Sequence, residues 1–125
     1  MKSSTYLFIF AIIIVVGLIG YAVTRPKPPS ELDGFAQCIT DKDVILYHAW
    51  WCPHCAEQKA LFGDAFNKLN QIECSLPGSR AFTKECTDAG IESVPAWVFP
   101  GGRKFLGLQP LEKLAQETGC VLPLK

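Results

Sequence analysis

From Tyr6 to Val23 the chain runs for eighteen residues without a charge. Ile12 to Val16 is apolar on every side of a helical wheel, so no solvent-facing stripe interrupts the run. That length approaches the roughly 20 residues a helix needs to cross a bilayer. The predicted element is a membrane anchor over residues 6–23, behind a short flank of residues 1–5. The competing reading is a cleaved signal peptide: Lys2 supplies a positive start and Gly20-Tyr21-Ala22 a small-residue cleavage site. The run nonetheless exceeds the ~7–15 apolar residues of a typical signal core, which favours the anchor. A buried core helix is a third and poorer reading. Residues 24–29, with Arg25-Pro26-Lys27-Pro28-Pro29, have the composition of a stiff, extended linker.

Beyond the linker the pattern changes to short amphipathic and β-like runs, predicting one domain over residues 30–125. Ser30 is positioned to cap a helix that carries Leu32, Phe35, Ala36 and Ile39 on one face and ends near Asp41. Val44-Ile45-Leu46-Tyr47 is continuously apolar and partly β-branched, as a strand buried on both faces would be. Pro53 then sits where a helix begins, and Cys55, Ala56, Lys59, Ala60, Phe62, Phe66 and Leu69 follow at helical intervals to about Asn70. Gln71 to Cys74 reads as a short strand, Leu76 to Ser79 as a turn, and Phe82 to Ala89 as a helix stopped by Gly90. Ala96 to Phe99 and Lys104 to Leu106 flank Pro100-Gly101-Gly102 as a hairpin. Leu111 to Thr118 closes the domain as a helix ended by Gly119. Alternating strand and helix followed by a hairpin and helix predicts an α/β layer fold with a mixed sheet of about four strands.

Charge changes this picture little, because 12 basic and 12 acidic side chains cancel and no basic face invites nucleic acid. Cysteine changes it more. Six in so short a chain point to disulfides formed in an oxidising compartment, and hence to a domain on the outer side of the membrane. The flanking charges do not set the orientation by themselves, since Lys2 precedes the span while Arg25 and Lys27 follow it.

The candidate chemistry lies in Trp51-Cys52-Pro53-His54-Cys55, between a predicted strand and helix. A helix N-terminus offers unpaired amides and a partial positive charge, both of which stabilise an anion. In that setting a thiol near pKa 8.5 can fall to between roughly 3.5 and 7.5, and the thiolate is the reactive form. Cys52 is therefore the candidate nucleophile and Cys55, one turn on, the resolving thiol. Pro53 fixes the turn without an amide, and His54 is a candidate second stabiliser of the anion. Zinc is the bland alternative for a Cys-x-x-Cys pair. Cys74 and Cys86, however, are not spaced as a second ligand pair, and His48 and His54 form no ligand arm. Cys74 and Cys86 are read as a structural disulfide contributing about 3 kcal/mol, with a second redox relay as the alternative. Cys38 and Cys120 either pair, if the ends of the domain meet, or remain free buried thiols. Trp51 is a candidate rim for a partner's peptide, Trp50 is assigned to packing, and Val94-Pro95 is either a plain strand start or a cis bond. No cofactor-binding or metal-binding residue is assigned.

With these motifs in place, residues 30–120 resemble the thioredoxin superfamily. More narrowly, Trp51 to Phe62, Glu73-Cys74-Ser75, Glu85-Cys86-Thr87 and Val94-Pro95-Ala96-Trp97 are similar to the thioredoxin-like domain associated with bacterial and plant vitamin K epoxide reductase homologues. The Cys-Pro-His-Cys tetrad is also similar to that of the DsbA family of periplasmic oxidases, whose large helical insertion has no room here. The resemblance implies that Cys52 and Cys55 exchange disulfides with secreted protein substrates and that a quinone-linked membrane oxidase reoxidises them. It implies that Pro95 is a cis-proline facing the motif, that the Val94 backbone pairs with substrate, and that Cys74 and Cys86 are an extra disulfide of the subgroup. Where many thioredoxins carry a buried acid six residues before the first cysteine, this chain has Leu46; His48, close by, is read as structural. The expected activity is that of a membrane-tethered disulfide oxidase. A tethered reductase or isomerase is the alternative, and a noncatalytic zinc or interaction module is the reading from another class.

Overall fold

The computed structural model describes residues 2–124; Met1 and Lys125, at the ends of the first and last predicted divisions, lie outside the described residues. α1 (Lys2–Thr24) contains a 22-residue segment, Ser3–Thr24, long and apolar enough to cross a membrane. None of that segment is buried against the rest of the chain, which removes the core-helix reading. The linker follows, with Lys27 reaching Asp64 across an exposed 2.8 Å ion pair.

The domain itself is an α/β layer. α2 (Asp33–Asp41) leads to β1 (Ile45–His48), and α3 (Pro53–Phe62) runs into a 3-10 segment (Gly63–Lys68). β2 (Gln71–Glu73), α4 (Lys84–Asp88), β3 (Ala96–Val98), β4 (Lys104–Leu106) and α5 (Leu111–Thr118) complete it. The four strands form one sheet in the order β2-β1-β3-β4, with β1 parallel to β2 and antiparallel to β3. β1 is thus a central strand, as its unbroken apolar run predicted. Alternate residues serve opposite faces. Val44 and Leu46 join Phe35, Ile39, Phe62, Phe66, Trp97 and Leu114 in the larger core, while Ile45 and Tyr47 face Cys74, Cys86, Ile91 and Ala96.

Three predicted boundaries shift for identifiable reasons. The helix expected from Pro53 to Asn70 breaks at Gly63, whose φ of 57° and ψ of −133° leave the helical region, and the chain continues as a tighter 3-10 turn. Phe82 lies outside α4, because it forms a bridge to Ser75 instead; Thr83 is the N-cap, accepting from the Cys86 amide. Ser30 acts one turn early. Its hydroxyl accepts from the Leu32 amide at 3.3 Å and its own amide donates to Asp33 Oδ2 at 3.2 Å, a reciprocal arrangement that turns the linker into α2.

Candidate active site

β1 ends at His48, and four residues later Cys52 caps the N-terminus of α3. The turn between them is closed by the Cys52 amide donating to the Ala49 carbonyl at 3.1 Å. Cys52 has extended φ and ψ, so its side chain swings back over the first turn and its sulfur accepts the Cys55 amide at 3.2 Å. Pro53 occupies the first helical position, where the missing amide costs nothing. The Cys55 amide and the positive end of the helix therefore face this sulfur, while the Ala56 amide donates to the Cys52 carbonyl at 3.1 Å.

On its other side Cys52 meets the Val94 carbonyl, toward which the thiol donates at 3.5 Å; the Val94–Pro95 bond is cis. Cys52 and Cys55 both carry free thiols and are both 5% exposed. They share a small apolar cluster with Ala49, Trp51 and Val94. Burial pushes the Cys55 thiol up to about 12, reinforced by its hydrogen bond with Cys52 and by the Cys52 and Glu73 charges; the Ala49 amide opposes the shift.

His54, the expected second stabiliser of the anion, is mostly exposed, with its Nδ1 3.7 Å from Glu57 Oε2. The polar contacts to the Cys52 sulfur come instead from the Cys55 amide and the Val94 carbonyl. Trp51 is half-buried beside the thiols, its indole N–H donating to Ser75 Oγ at 2.9 Å and its ring lying 5.9 Å beneath the Arg80 guanidinium. Trp50 corrects its assignment to packing. It is 56% exposed, because the turn after β1 lifts it off the sheet and its indole N–H ties to the Leu76 carbonyl at 3.1 Å.

The other four cysteines form two disulfides, Cys74–Cys86 and Cys38–Cys120. The first joins the end of β2 to α4 across a fully buried pair, and the second ties α2 to the chain just after α5. Both consume thiols that a zinc site would need. Among the described residues, no three or more His, Cys, Asp or Glu side chains gather as a metal site.

Two residues that the sequence pattern did not single out support this arrangement. Gln58, wholly buried on α3, accepts from Trp97 Nε1 at 3.2 Å and from the Gln109 amide at 2.8 Å, and donates to the Gln109 carbonyl at 3.0 Å. It ties the cysteine-bearing helix to the sheet. Its signal was an amide on the same helix face as Cys55 and Phe62, where only apolar residues were expected. Glu73, at the end of β2, accepts the Trp50 amide at 3.2 Å and the Ser75 amide at 3.0 Å through Oε1, while Oε2 lies 3.5 Å from His48 Nδ1. A lone acid at a strand end carries no sequence signal of such a role.

Fold and site together define an α/β domain with a four-stranded mixed sheet that presents a paired-thiol site at a helix N-terminus. No protein-family model matches the chain. It is similar to Thiol-disulfide oxidoreductase LTO1 of Arabidopsis thaliana, with 41% identity over 81 residues, covering 62% of this chain and 21% of that protein. The chain thus spans about a fifth of the length of this curated relative.

Proposed function

We propose that the protein is a membrane-anchored dithiol–disulfide oxidoreductase that exchanges a Cys52–Cys55 disulfide with protein substrates outside the cytoplasm. One observation carries the reading. The Cys52 sulfur sits at the N-cap of α3, with the Cys55 amide donating to it and Cys55 itself one turn behind, ready to resolve a mixed disulfide. In the donating direction a substrate thiolate attacks Cys52 Sγ, the Cys52–Cys55 bond breaks, and Cys55 leaves as a thiolate that takes up a proton. A second substrate thiolate then displaces Cys52, which completes the substrate disulfide and leaves the dithiol.

Residues 6–23 would anchor the chain, residues 24–29 would space it from the bilayer, and residues 30–125 would carry the chemistry. Val94 and Pro95 would meet the substrate backbone, with Trp51 as its rim. Regeneration requires an oxidant. A quinone-linked membrane oxidase of the vitamin K epoxide reductase type is the proposed partner, by the resemblance of the motifs.

The experiment is the reduction potential of the pair in the full chain in detergent, equilibrated in glutathione buffers and read by thiol alkylation and mass spectrometry. A value near the roughly −120 mV of strong oxidants supports disulfide donation, and one near the roughly −270 mV of thioredoxin supports the reductase alternative. Disulfide exchange that persists unchanged in Cys52→Ser would count heavily against either enzymatic reading.

A further inference from the structure

The loop between β2 and α4, residues 75–82, is tied to both tryptophans that precede Cys52. Ser75 Oγ accepts the Trp51 indole N–H at 2.9 Å, and the Leu76 carbonyl accepts the Trp50 indole N–H at 3.1 Å. The loop is also closed at its base. Ser75 and Phe82 form a bridge, the Thr83 amide donates to the Cys74 carbonyl at 2.8 Å, and the Cys74–Cys86 disulfide fastens the flanks together. At the tip the Ser79 amide turns back to the Leu76 carbonyl at 3.0 Å. A loop held in this way has little conformational freedom left to lose when a partner settles on it.

Three side chains of this region are left unengaged by the fold. Trp50 and Leu76 are 56% and 65% exposed, and they sit side by side because the Trp50 ring is tied to the Leu76 backbone. With its N–H already bonded, the exposed part of that indole offers apolar area. The third is Arg80. Its guanidinium lies over the ring of Trp51, which packs against the cluster of Ala49, Cys52 and Cys55. Among the described residues Arg80 forms no ion pair. The Glu73 carboxylate is engaged elsewhere, by the Trp50 and Ser75 amides and by His48.

A guanidinium resting on an aromatic face keeps its in-plane N–H donors free, and their fork matches a carboxylate. One indole ring separates Arg80 from the reactive cluster. An extended chain advances ~3.3 Å per residue, so a carboxylate two or three residues from a cysteine bonded to Cys52 spans that gap. Arginine and tryptophan are also the side chains that most often anchor an interface. We propose that Arg80, with the apolar shelf of Trp50 and Leu76, selects polypeptide substrates whose reacting cysteine has an acidic side chain two or three residues away and an apolar one beside it. This rests on the Cys52–Cys55 exchange proposed above and names the substrate class of that site. It also gives the Cys74–Cys86 disulfide a role in recognition, as the frame of the loop that carries Leu76 and Arg80.

The test uses the full chain in detergent, oxidised at Cys52–Cys55, and synthetic peptides with one cysteine and either Glu or Gln at two, three or eight residues from it. The initial rate of Cys52–Cys55 reduction is read by acid quench, alkylation and mass spectrometry. Each rate is divided by that peptide's rate with neutral dipyridyl disulfide, which removes the effect of the acid on the peptide's own thiol. Glu at two or three residues is expected to be preferred over Gln about fivefold, the upper range for an exposed ion pair, and Glu at eight residues not at all. The preference should vanish in Arg80→Gln and pass to a Lys peptide in Arg80→Glu. Equal rates for Glu and Gln in the wild-type chain, a preference that survives Arg80→Gln, or one that ignores the distance from the cysteine would each overturn the proposal. For the shelf, Leu76→Ser at its exposed position should erase a preference for a leucine over a serine beside the cysteine, and a preference left intact would refute that part. If no peptide of any charge reduces the pair faster than it reduces oxidised glutathione, the exchange reading itself fails, a result distinct from all of these.

Discussion

Gln58→Leu isolates what holds the cysteine-bearing helix in place. The wild-type amide satisfies three buried groups: Trp97 Nε1–H, the Gln109 amide and the Gln109 carbonyl. Leucine fills a similar volume but satisfies none of them, and no other partner for Trp97 Nε1 is present among the described residues. Each buried group left unpaired costs about 1 to 3 kcal/mol, against about 1 to 2 kcal/mol gained from the added apolar surface. The net expectation is a loss of about 3 to 5 kcal/mol, a large share of the roughly 5 to 15 kcal/mol that stabilises a domain of this size. Urea unfolding of the full chain in detergent, with the disulfides intact and tryptophan fluorescence as the probe, measures it through the shift of midpoint at unchanged slope. A loss below about 1 kcal/mol would refute the account of Gln58 as the tie between α3 and the sheet.

Two further outcomes follow from pH and from the disulfides. His48 has its pKa lowered from 6.5, chiefly by burial, with Lys59 adding to the effect and Glu73 and Gln71 opposing it. The unfolded chain therefore binds the extra proton first, and stability should fall as pH drops from about 7 through 6.5 and below. Cys55 works at the other end: its folded pKa of about 12 exceeds the ordinary 9.0, so its contribution is complete below pH 9 and is lost as pH rises toward 12. Thermal unfolding from pH 5 to 8 checks the acid side, and a His48→Asn chain with the same acid slope would sink the assignment. Cys38–Cys120 closes a separation of 82 residues and Cys74–Cys86 one of 12. Paired alanine substitutions should cost about 4.5 and about 3 kcal/mol respectively by chain entropy. Urea unfolding in which the shorter loop costs more would contradict that origin.

Much of this molecule was legible because its strongest signals are local. The apolar run of β1, the proline after Cys52 and the Pro-Gly-Gly hairpin each specify their element within a few residues. Periodicity misled over Pro53 to Asn70, where Phe66 and Leu69 continue the helical spacing although Gly63 turns the chain into a 3-10 segment. Both segments bury the same face, so the apolar pattern survives a break in the backbone. The pairing of Cys38 with Cys120 depends on two elements meeting from opposite ends of the domain, a long-range contact no spacing encodes. Glu73 is illegible for a related reason. Its neighbours His48 and Trp50 come from another strand and the turn that follows it, and only the register of β1 on β2 brings them together.

The difference between the two thiols has an electrostatic origin, since both are 5% exposed and burial alone cannot rank them. A negative charge forming on Cys52 meets an amide donor and the positive end of α3. One forming on Cys55 meets the Cys52 sulfur and the Glu73 carboxylate, with a single amide to set against them. Attack by or on Cys52 is therefore favoured over Cys55. The Val94 carbonyl pulls the other way, because it accepts from the Cys52 thiol and gains nothing from the thiolate. Whatever stabilises the reduced form raises the potential by about 30 mV for each 1.4 kcal/mol, so the Val94 contact and the helix end contribute with opposite sign to the thiolate form. A backbone group of bound substrate that takes up the Val94 carbonyl would remove that opposition, tying the reactivity of Cys52 to the presence of a polypeptide in the site.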